Sequence, residues 1–187
     1  YWVLRYYRHP GAVRVLDGGL AAWRNQGLPT ESGFPARATL SYPLPGGPDR
    51  SILATAEEVR DGVATGRGQA CDSRTEQEYT GAVVQSGRGG HVPGAVHVEW
   101  SQALGPDGTF LSNADLGERL SPFISGDREP VTYCQGGVRA SLTWFCLNEL
   151  LGIPARLYAA SWEEWGLRHD LPVDNSPSSN SRLKSDG

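Results

Sequence analysis

The stretch that decides the fold runs Val131-Thr132-Tyr133-Cys134-Gln135-Gly136-Gly137-Val138-Arg139. Pro130 precedes three residues with strong β propensity, which predict a short buried strand that ends on Cys134. Apolar residues then recur at helical spacing, as Ala140, Trp144, Leu147 and Leu151. The stretch therefore predicts a strand, a tight glycine-containing loop and an amphipathic helix.

Outward from this stretch, helices alternate with strands. The patterns predict helices over 55–63, 75–79, 162–165 and from Ser112. They predict strands over 69–71 and 157–158, and a further strand within 92–98 that follows Pro93 and Gly94. Thr55 followed by Glu58 is a capping-box signature for the first of these helices. Such alternation predicts the α/β class, a parallel sheet with helices on both faces. Ligands of these sheets bind beyond the carboxyl ends of the strands, where Cys134 and Asp72 both fall.

The chain divides into four segments. Residues 1–31 combine a helix over Tyr1–Arg8, a short apolar strand around Val15 and a second helix from Leu20, too few elements to bury a core alone. Residues 32–50 are rich in proline and glycine, which is typical of a linker. Residues 51–175 contain the alternating elements, and residues 176–187, rich in serine and asparagine, predict a disordered tail.

Charge and hydrophobicity exclude several classes of partner. The 187 residues carry a formal net charge of −4 with both signs mixed along the chain. This distribution leaves no basic stripe for nucleic acid and no polybasic arm for a membrane surface. No run approaches the ~18 apolar residues of a membrane-spanning helix. We therefore expect neither nucleic acid nor a membrane as partner.

The cysteines and histidines predict neither disulfides nor a metal site. Cys71, Cys134 and Cys146 are an odd set without a C-x-x-C pair. The four histidines lack the spacing of metal ligands. A reducing compartment, and hence a cytoplasmic location, fits this usage. Cys71, within a strand, and Cys146, within a helix, suit the role of small buried apolar residues.

Cys134 differs because a glycine-containing loop and a helix start follow it. Glycines let the backbone curl so that successive N–H groups point inward and bind an anion. The positive end of the helix dipole and the Arg139 cation add to this field. All three effects favour the thiolate form of Cys134, which is the nucleophile. The predicted binding loop consists of Gln135, Gly136, Gly137, Val138 and Arg139.

The length of the loop favours sulfur over phosphate. Cysteine-dependent phosphatases use a related loop with one residue more between the cysteine and the arginine, since a phosphoryl group must fit inside. Here only Gln135 to Val138 separate Cys134 from Arg139. The shorter loop suits a persulfide with one extra sulfur atom, and phosphatase activity remains a minor alternative.

Several motifs together resemble a two-domain rhodanese with most of its first domain absent. They are Asp72-Ser73-Arg74 with Glu78-Tyr79 and Gly81, the segment Gly90-His91-Val92-Pro93-Gly94-Ala95, the loop from Cys134, and Ser161-Trp162-Glu163-Glu164-Trp165. The resemblance covers Tyr1 to Val173. Residues 1–31 resemble the closing segment of the family's first, usually inactive, repeat.

The resemblance implies a sulfurtransferase that works without a cofactor. In this interpretation the Cys134 thiolate takes sulfur from a small donor, with thiosulfate as the default, and the persulfide passes it to a thiol or cyanide. Asp72 and Arg74 match positions that line or brace the loop. A structural ion pair and direct contact with the donor both remain open for them. His91 is expected to order a turn.

Departures from the family pattern leave the donor open. Thiosulfate-using members often place two basic residues after the cysteine, whereas Gln135 and Gly136 are neutral. Members that use 3-mercaptopyruvate often place a hydroxyl residue where Gly136 stands. Glu78 stands where the animal thiosulfate enzymes of the family have a donor-binding arginine, and it would repel a dianion if it faced the site. A 3-mercaptopyruvate sulfurtransferase and a non-catalytic sulfur- or anion-binding module are the alternatives.

Overall fold

A computed structural model describes residues 1–33, 41–42, 46–124 and 126–176. Its sheet consists of four parallel strands in the order β2-β1-β3-β4. The strands are β1 (Gly68–Asp72), β2 (Val96–His97), β3 (Glu129–Tyr133) and β4 (Arg156–Leu157). Asp72 pairs with Tyr133, so the carboxyl ends of β1 and β3 meet at the same edge of the sheet. The structure confirms the predicted α/β class.

Seven α-helices accompany these strands among the described residues. They are α1 (Trp2–Tyr6), α2 (Gly19–Asn25), α3 (Ala56–Ala64), α4 (Glu76–Tyr79), α5 (Asn113–Ile124), α6 (Val138–Phe145) and α7 (Ser161–Trp165). Short 3₁₀ helices cover Arg50–Ile52 and Trp100–Ala103, and α6 continues as a π-helical turn over Cys146–Leu150. The predicted capping box of Thr55 and Glu58 forms, and Thr75 and Glu78 form a second one at the start of α4.

Both faces of the sheet are covered, as predicted. Alternate strand residues point to opposite faces, so neighbouring positions join different hydrophobic clusters. Ala70, Val131 and Tyr133 pack with α3 and α7. The opposite face packs with α5 and α6 through Cys71 and Leu157. These two layers fix the carboxyl end of β3 between α6 and α7.

One predicted strand is absent from the structure and another is confirmed. The stretch around Val15 and Leu16 is not a strand, because none of the described strands lies beside it to pair with its backbone. The strand predicted after Pro93 and Gly94 forms as β2. The Ala95 N–H bonds the carbonyl of Val92 and closes a turn, and Pro93 cannot donate to a ladder.

Part of the predicted segmentation lies outside the described residues. This applies to 34–40 and 43–45 of the linker and to 177–187 of the tail. The segment before the linker contacts the rest of the chain. The Tyr1 ring meets Phe145 edge-on at 5.0 Å, and the Phe110 N–H donates to the Asp17 carboxylate. The division into 1–31 and 51–175 remains a prediction.

None of the described helices is long and apolar enough to cross a membrane. Within the same ranges, no three histidine, cysteine, aspartate or glutamate side chains cluster closely enough to hold a metal ion.

Candidate active site around Cys134

The loop between β3 and α6 depends on a glycine at its last position. Gly137 precedes α6 with a φ of +81°, in the left-handed region. A Cβ atom there would lie 2.6 Å from the carbonyl oxygen of Ala159. Since other residues rarely adopt this conformation and any Cβ would clash, only glycine fits. The result is a tight turn that brings Cys134 close to the N-terminus of α6.

Cys134 is held by the start of α7. Its N–H donates to Ser161 Oγ at 3.1 Å, and its carbonyl accepts from the Trp162 N–H at 3.0 Å. Ser161 Oγ in turn donates to the carbonyl of Tyr158. Ser161 has a φ of +56°, unusual for a residue with a side chain. Cys134 exposes only 1% of its surface, so this site admits the end of a donor rather than a bulky group.

The loop after Cys134 presents unused backbone donors. Among the described residues, none accepts a hydrogen bond from the N–H of Gln135, Gly136 or Gly137. The first N–H groups of α6 follow directly and likewise have no carbonyl of a preceding turn to bond. Successive free N–H groups at a helix start are suited to bind an anion, and anion binding by this loop stays a prediction.

Side chains from other segments border this loop. Gln135 Nε2 donates to Ser86 Oγ at 2.6 Å, whereas its Oε1 is buried without a partner among the described residues. A Glu163 carboxylate oxygen lies 3.2 Å from where a Cβ of Gly136 would be. Val138 is 80% exposed. The loop is therefore packed on one side and open at Val138.

Arg139 forms a bidentate ion pair with Glu78. Its two terminal nitrogens donate to the two Glu78 carboxylate oxygens, each at 2.7 Å. The pKa of Arg139 is raised, mainly by these hydrogen bonds and also by attraction and a hydrogen bond to Cys134. Burial raises the pKa of Glu78, but hydrogen bonds from Arg139 and Thr75 outweigh it and lower the pKa to about 2. Glu78 thus faces the site and is ionised at neutral pH.

Asp72 and Arg74 form a buried brace below the loop. Their side chains are 0% and 1% exposed, and Arg74 Nη2 lies 2.6 Å from Asp72 Oδ2. Arg74 also donates to the carbonyl of Gly90, and its guanidinium lies over the Trp162 ring. Tyr133 donates its hydroxyl to Asp72. Burial acts to lower the pKa of Arg74, yet Asp72 outweighs it and the pKa rises. This geometry favours the structural ion pair over contact with a donor.

The remaining cysteines and His91 have structural surroundings. Burial raises the pKa of the Cys71 thiol and raises that of Cys146 to about 12, so neither is a thiolate at neutral pH. His91 stacks on Tyr79 and its Nδ1 lies 2.9 Å from the Tyr79 carbonyl oxygen, while burial lowers its pKa. These side chains fit the packing roles expected from the sequence.

Three bordering residues were absent from the predicted site. Ser161, Ser86 and Glu163 contact the loop from segments 27 to 49 positions away in the chain. The only sequence signal was the closing segment that begins at Ser161. It predicted a helix but not the hydroxyl group that holds Cys134.

Comparison with known proteins agrees with this fold. The Rhodanese-like domain family matches residues 55–168, and the chain belongs to this family.

Two relatives give the comparison at the level of sequence. A protein of Mycolicibacterium smegmatis named "Putative thiosulfate sulfurtransferase" is 36% identical over 184 residues, which cover 93% of this chain and 65% of that protein. Sulfur carrier protein TtuD of Thermus thermophilus is 36% identical over 186 residues, which cover 92% of this chain and 65% of that protein. The chain thus spans about two thirds of the length of these relatives.

Two solved structures share the fold at lower identity. The anaerobic ergothioneine biosynthesis enzyme of Chlorobium limicola superimposes with a TM-score of 0.83 at 20% identity, over 94% of this chain and 44% of that chain. Tum1 protein of Saccharomyces cerevisiae gives a TM-score of 0.77 at 22% identity, over 93% of this chain and 64% of that chain.

Proposed function

We propose that this chain is a sulfurtransferase that moves a sulfane sulfur from thiosulfate or a related donor to a thiophilic acceptor through a persulfide on Cys134. The observation that supports this proposal best is the environment of Cys134, which combines free loop N–H groups with the Arg139 guanidinium. The names of the relatives, "Putative thiosulfate sulfurtransferase" and "Sulfur carrier protein TtuD", support the same chemistry.

The proposed cycle has two displacements at sulfur. The Cys134 thiolate attacks the outer sulfur of thiosulfate, a new S–S bond forms, and the bond to the central sulfur breaks so that sulfite leaves with the electron pair. An acceptor such as cyanide then attacks the outer sulfur of the persulfide. Thiocyanate leaves and the thiolate is restored. The loop N–H groups stabilise the terminal sulfur anion of the persulfide.

The alternatives differ in what they require of the loop. A phosphoryl group needs space around three oxygens, and a 1% exposed cysteine in a short loop does not offer it. We therefore expect no phosphate release from an aryl phosphate. A 3-mercaptopyruvate donor needs the same nucleophile, so only a comparison of donors separates the two enzymes.

Mass spectrometry of the intact protein tests the proposal. After incubation with thiosulfate, the wild type should gain one sulfur atom and Cys134→Ser should gain none. Cys146→Ala, which removes a thiol outside the loop, is the matched control and should still gain it. An unchanged wild-type mass with both thiosulfate and 3-mercaptopyruvate would contradict the proposal. A sulfur gain that never passes to cyanide or a thiol would instead indicate a binding module.

A further inference from the structure

We propose that Glu78 makes this site selective for sulfane-sulfur donors with a single negative charge, such as an organic persulfide, over the thiosulfate dianion. This inference rests on the proposed function, because it concerns the donor that Cys134 attacks. Thiosulfate then remains a usable donor, but a poorer one than a monoanion with the same reacting sulfur.

The first support is the geometry of the ion pair. Both terminal nitrogens of Arg139 are bonded to Glu78, so the cation beside Cys134 is already matched by a carboxylate. Glu78 cannot easily turn away. It is 3% exposed and also accepts hydrogen bonds from the N–H and hydroxyl of Thr75 and from Gln85 Nε2.

The second support is that the other guanidinium groups near the site are already bound to groups of the protein. Arg74 is paired with Asp72 in the core. Arg88 donates to the carbonyl oxygens of Trp165, Arg168 and Leu171. Gln135 is neutral, and the nearest side chain to Gly136 is the Glu163 carboxylate. Among the described residues around the loop, the one guanidinium beside Cys134 is thus neutralised.

The consequence follows from Coulomb's law. The loop N–H dipoles compensate one negative charge, that of the attacked sulfur, as they do for the persulfide product. A second charge on the donor meets no unpaired cation among the described side chains beside the loop. One unpaired cation about 5 Å away, at an effective dielectric of about 20, would favour this extra charge enough to change a rate by tenfold or more, and the pairing of Arg139 with Glu78 removes most of that attraction.

Methanethiosulfonate is a suitable probe because it replaces one charged oxygen of thiosulfate by a methyl group. The Cys134 thiolate attacks its outer sulfur, the new S–S bond forms, and methanesulfinate leaves with the electron pair of the broken bond. No oxidant or reductant enters. The two donors present the same reacting atom and differ by one unit of charge.

The experiment measures kcat/KM for each donor with cyanide as acceptor. Each value is divided by the rate constant of the uncatalysed reaction of that donor with cyanide, which removes intrinsic reactivity. In the wild type the corrected value should be at least tenfold higher for methanethiosulfonate. In Glu78→Gln, which keeps an oxygen for Thr75 and frees Arg139, this preference should shrink about tenfold. Glu76→Gln, on the exposed side of the same helix, should keep it.

The outcomes separate this inference from the proposed function. If the wild type transfers no sulfur from either donor, the proposed function fails. If it transfers sulfur but corrected thiosulfate turnover equals or exceeds that of methanethiosulfonate, only the role of Glu78 is wrong, and this result needs no variant. An unchanged preference for methanethiosulfonate in a folded Glu78→Gln protein would likewise show that Glu78 does not set the choice of donor.

Discussion

At the scale of single residues, the position of Cys134 depends on the hydroxyl of Ser161. That hydroxyl accepts from the Cys134 N–H and donates to the carbonyl of Tyr158, and both partners are buried. The Ser161 backbone also adopts a left-handed conformation that normally favours glycine. One residue therefore combines a required side chain with an unfavourable backbone angle, a combination typical of functional sites.

Replacing Ser161 separates these two effects. Ser161→Ala should lower the free energy of unfolding by about 1–3 kcal/mol, because the Cys134 N–H loses its buried acceptor. Ser161→Gly loses the same bond but suits the positive φ, so it should be about 1 kcal/mol more stable than the alanine variant. Urea denaturation measures both. Wild-type stability in Ser161→Ala would show that the hydroxyl does not hold the loop.

The sequence predicted those site residues whose roles are local. Cys134, Gly137 and Arg139 lie within one strand, loop and helix start, where spacing alone determines the geometry. The pairing of Arg139 with Glu78 joins positions 61 apart, and the bond to Ser161 joins positions 27 apart. The sequence showed that Glu78 would matter if it faced the loop. Only the Glu78–Arg139 ion pair of the folded chain shows that it does.

At the scale of elements, predictions succeeded where an element carries its own signals. The capping box of Thr55 and Glu58 sets the start of α3, and the apolar run after Pro130 sets β3. The predicted strand around Val15 was wrong, because β propensity needs a neighbouring strand with free backbone groups. The strand predicted after Pro93 and Gly94 forms as β2, because the turn at these two residues ends before the pairing with β1 begins.

Helix α4 should lose stability in acid through Glu78. The folded-state pKa of this residue lies near 2, below its ordinary value of 4.5, so its contribution is full above pH 4.5 and is lost as the pH falls toward 2. Between pH 5 and pH 3, the thermal midpoint of the wild type should therefore fall more than that of Glu78→Gln. Glu76→Gln should follow the wild type. Parallel curves for wild type and Glu78→Gln would contradict this role of the ion pair.

At the scale of the whole molecule, the sheet and the N-terminal segment differ in how they are buried. Around the sheet, apolar residues form one cluster on each face. Helices α1 and α2 contribute no fully buried residue. Instead, Tyr1 and Trp2 pack partly against the second cluster, and Val15, Leu16 and Leu20 are 45%, 53% and 55% exposed. The segment is attached to the domain but leaves an apolar surface in contact with water.

That surface should make the protein associate. Adjacent exposed Val15, Leu16 and Leu20 gain from mutual burial, and an extended backbone beside them has unpaired groups that a second chain can bond. Light scattering after size exclusion should therefore show a molar mass that rises with concentration. Leu16→Lys combined with Leu20→Lys should reduce this rise, whereas Leu167→Lys, which changes an isolated leucine exposed to 60%, should not. A monomeric mass of 20.2 kDa at every concentration would show that this surface does not drive association.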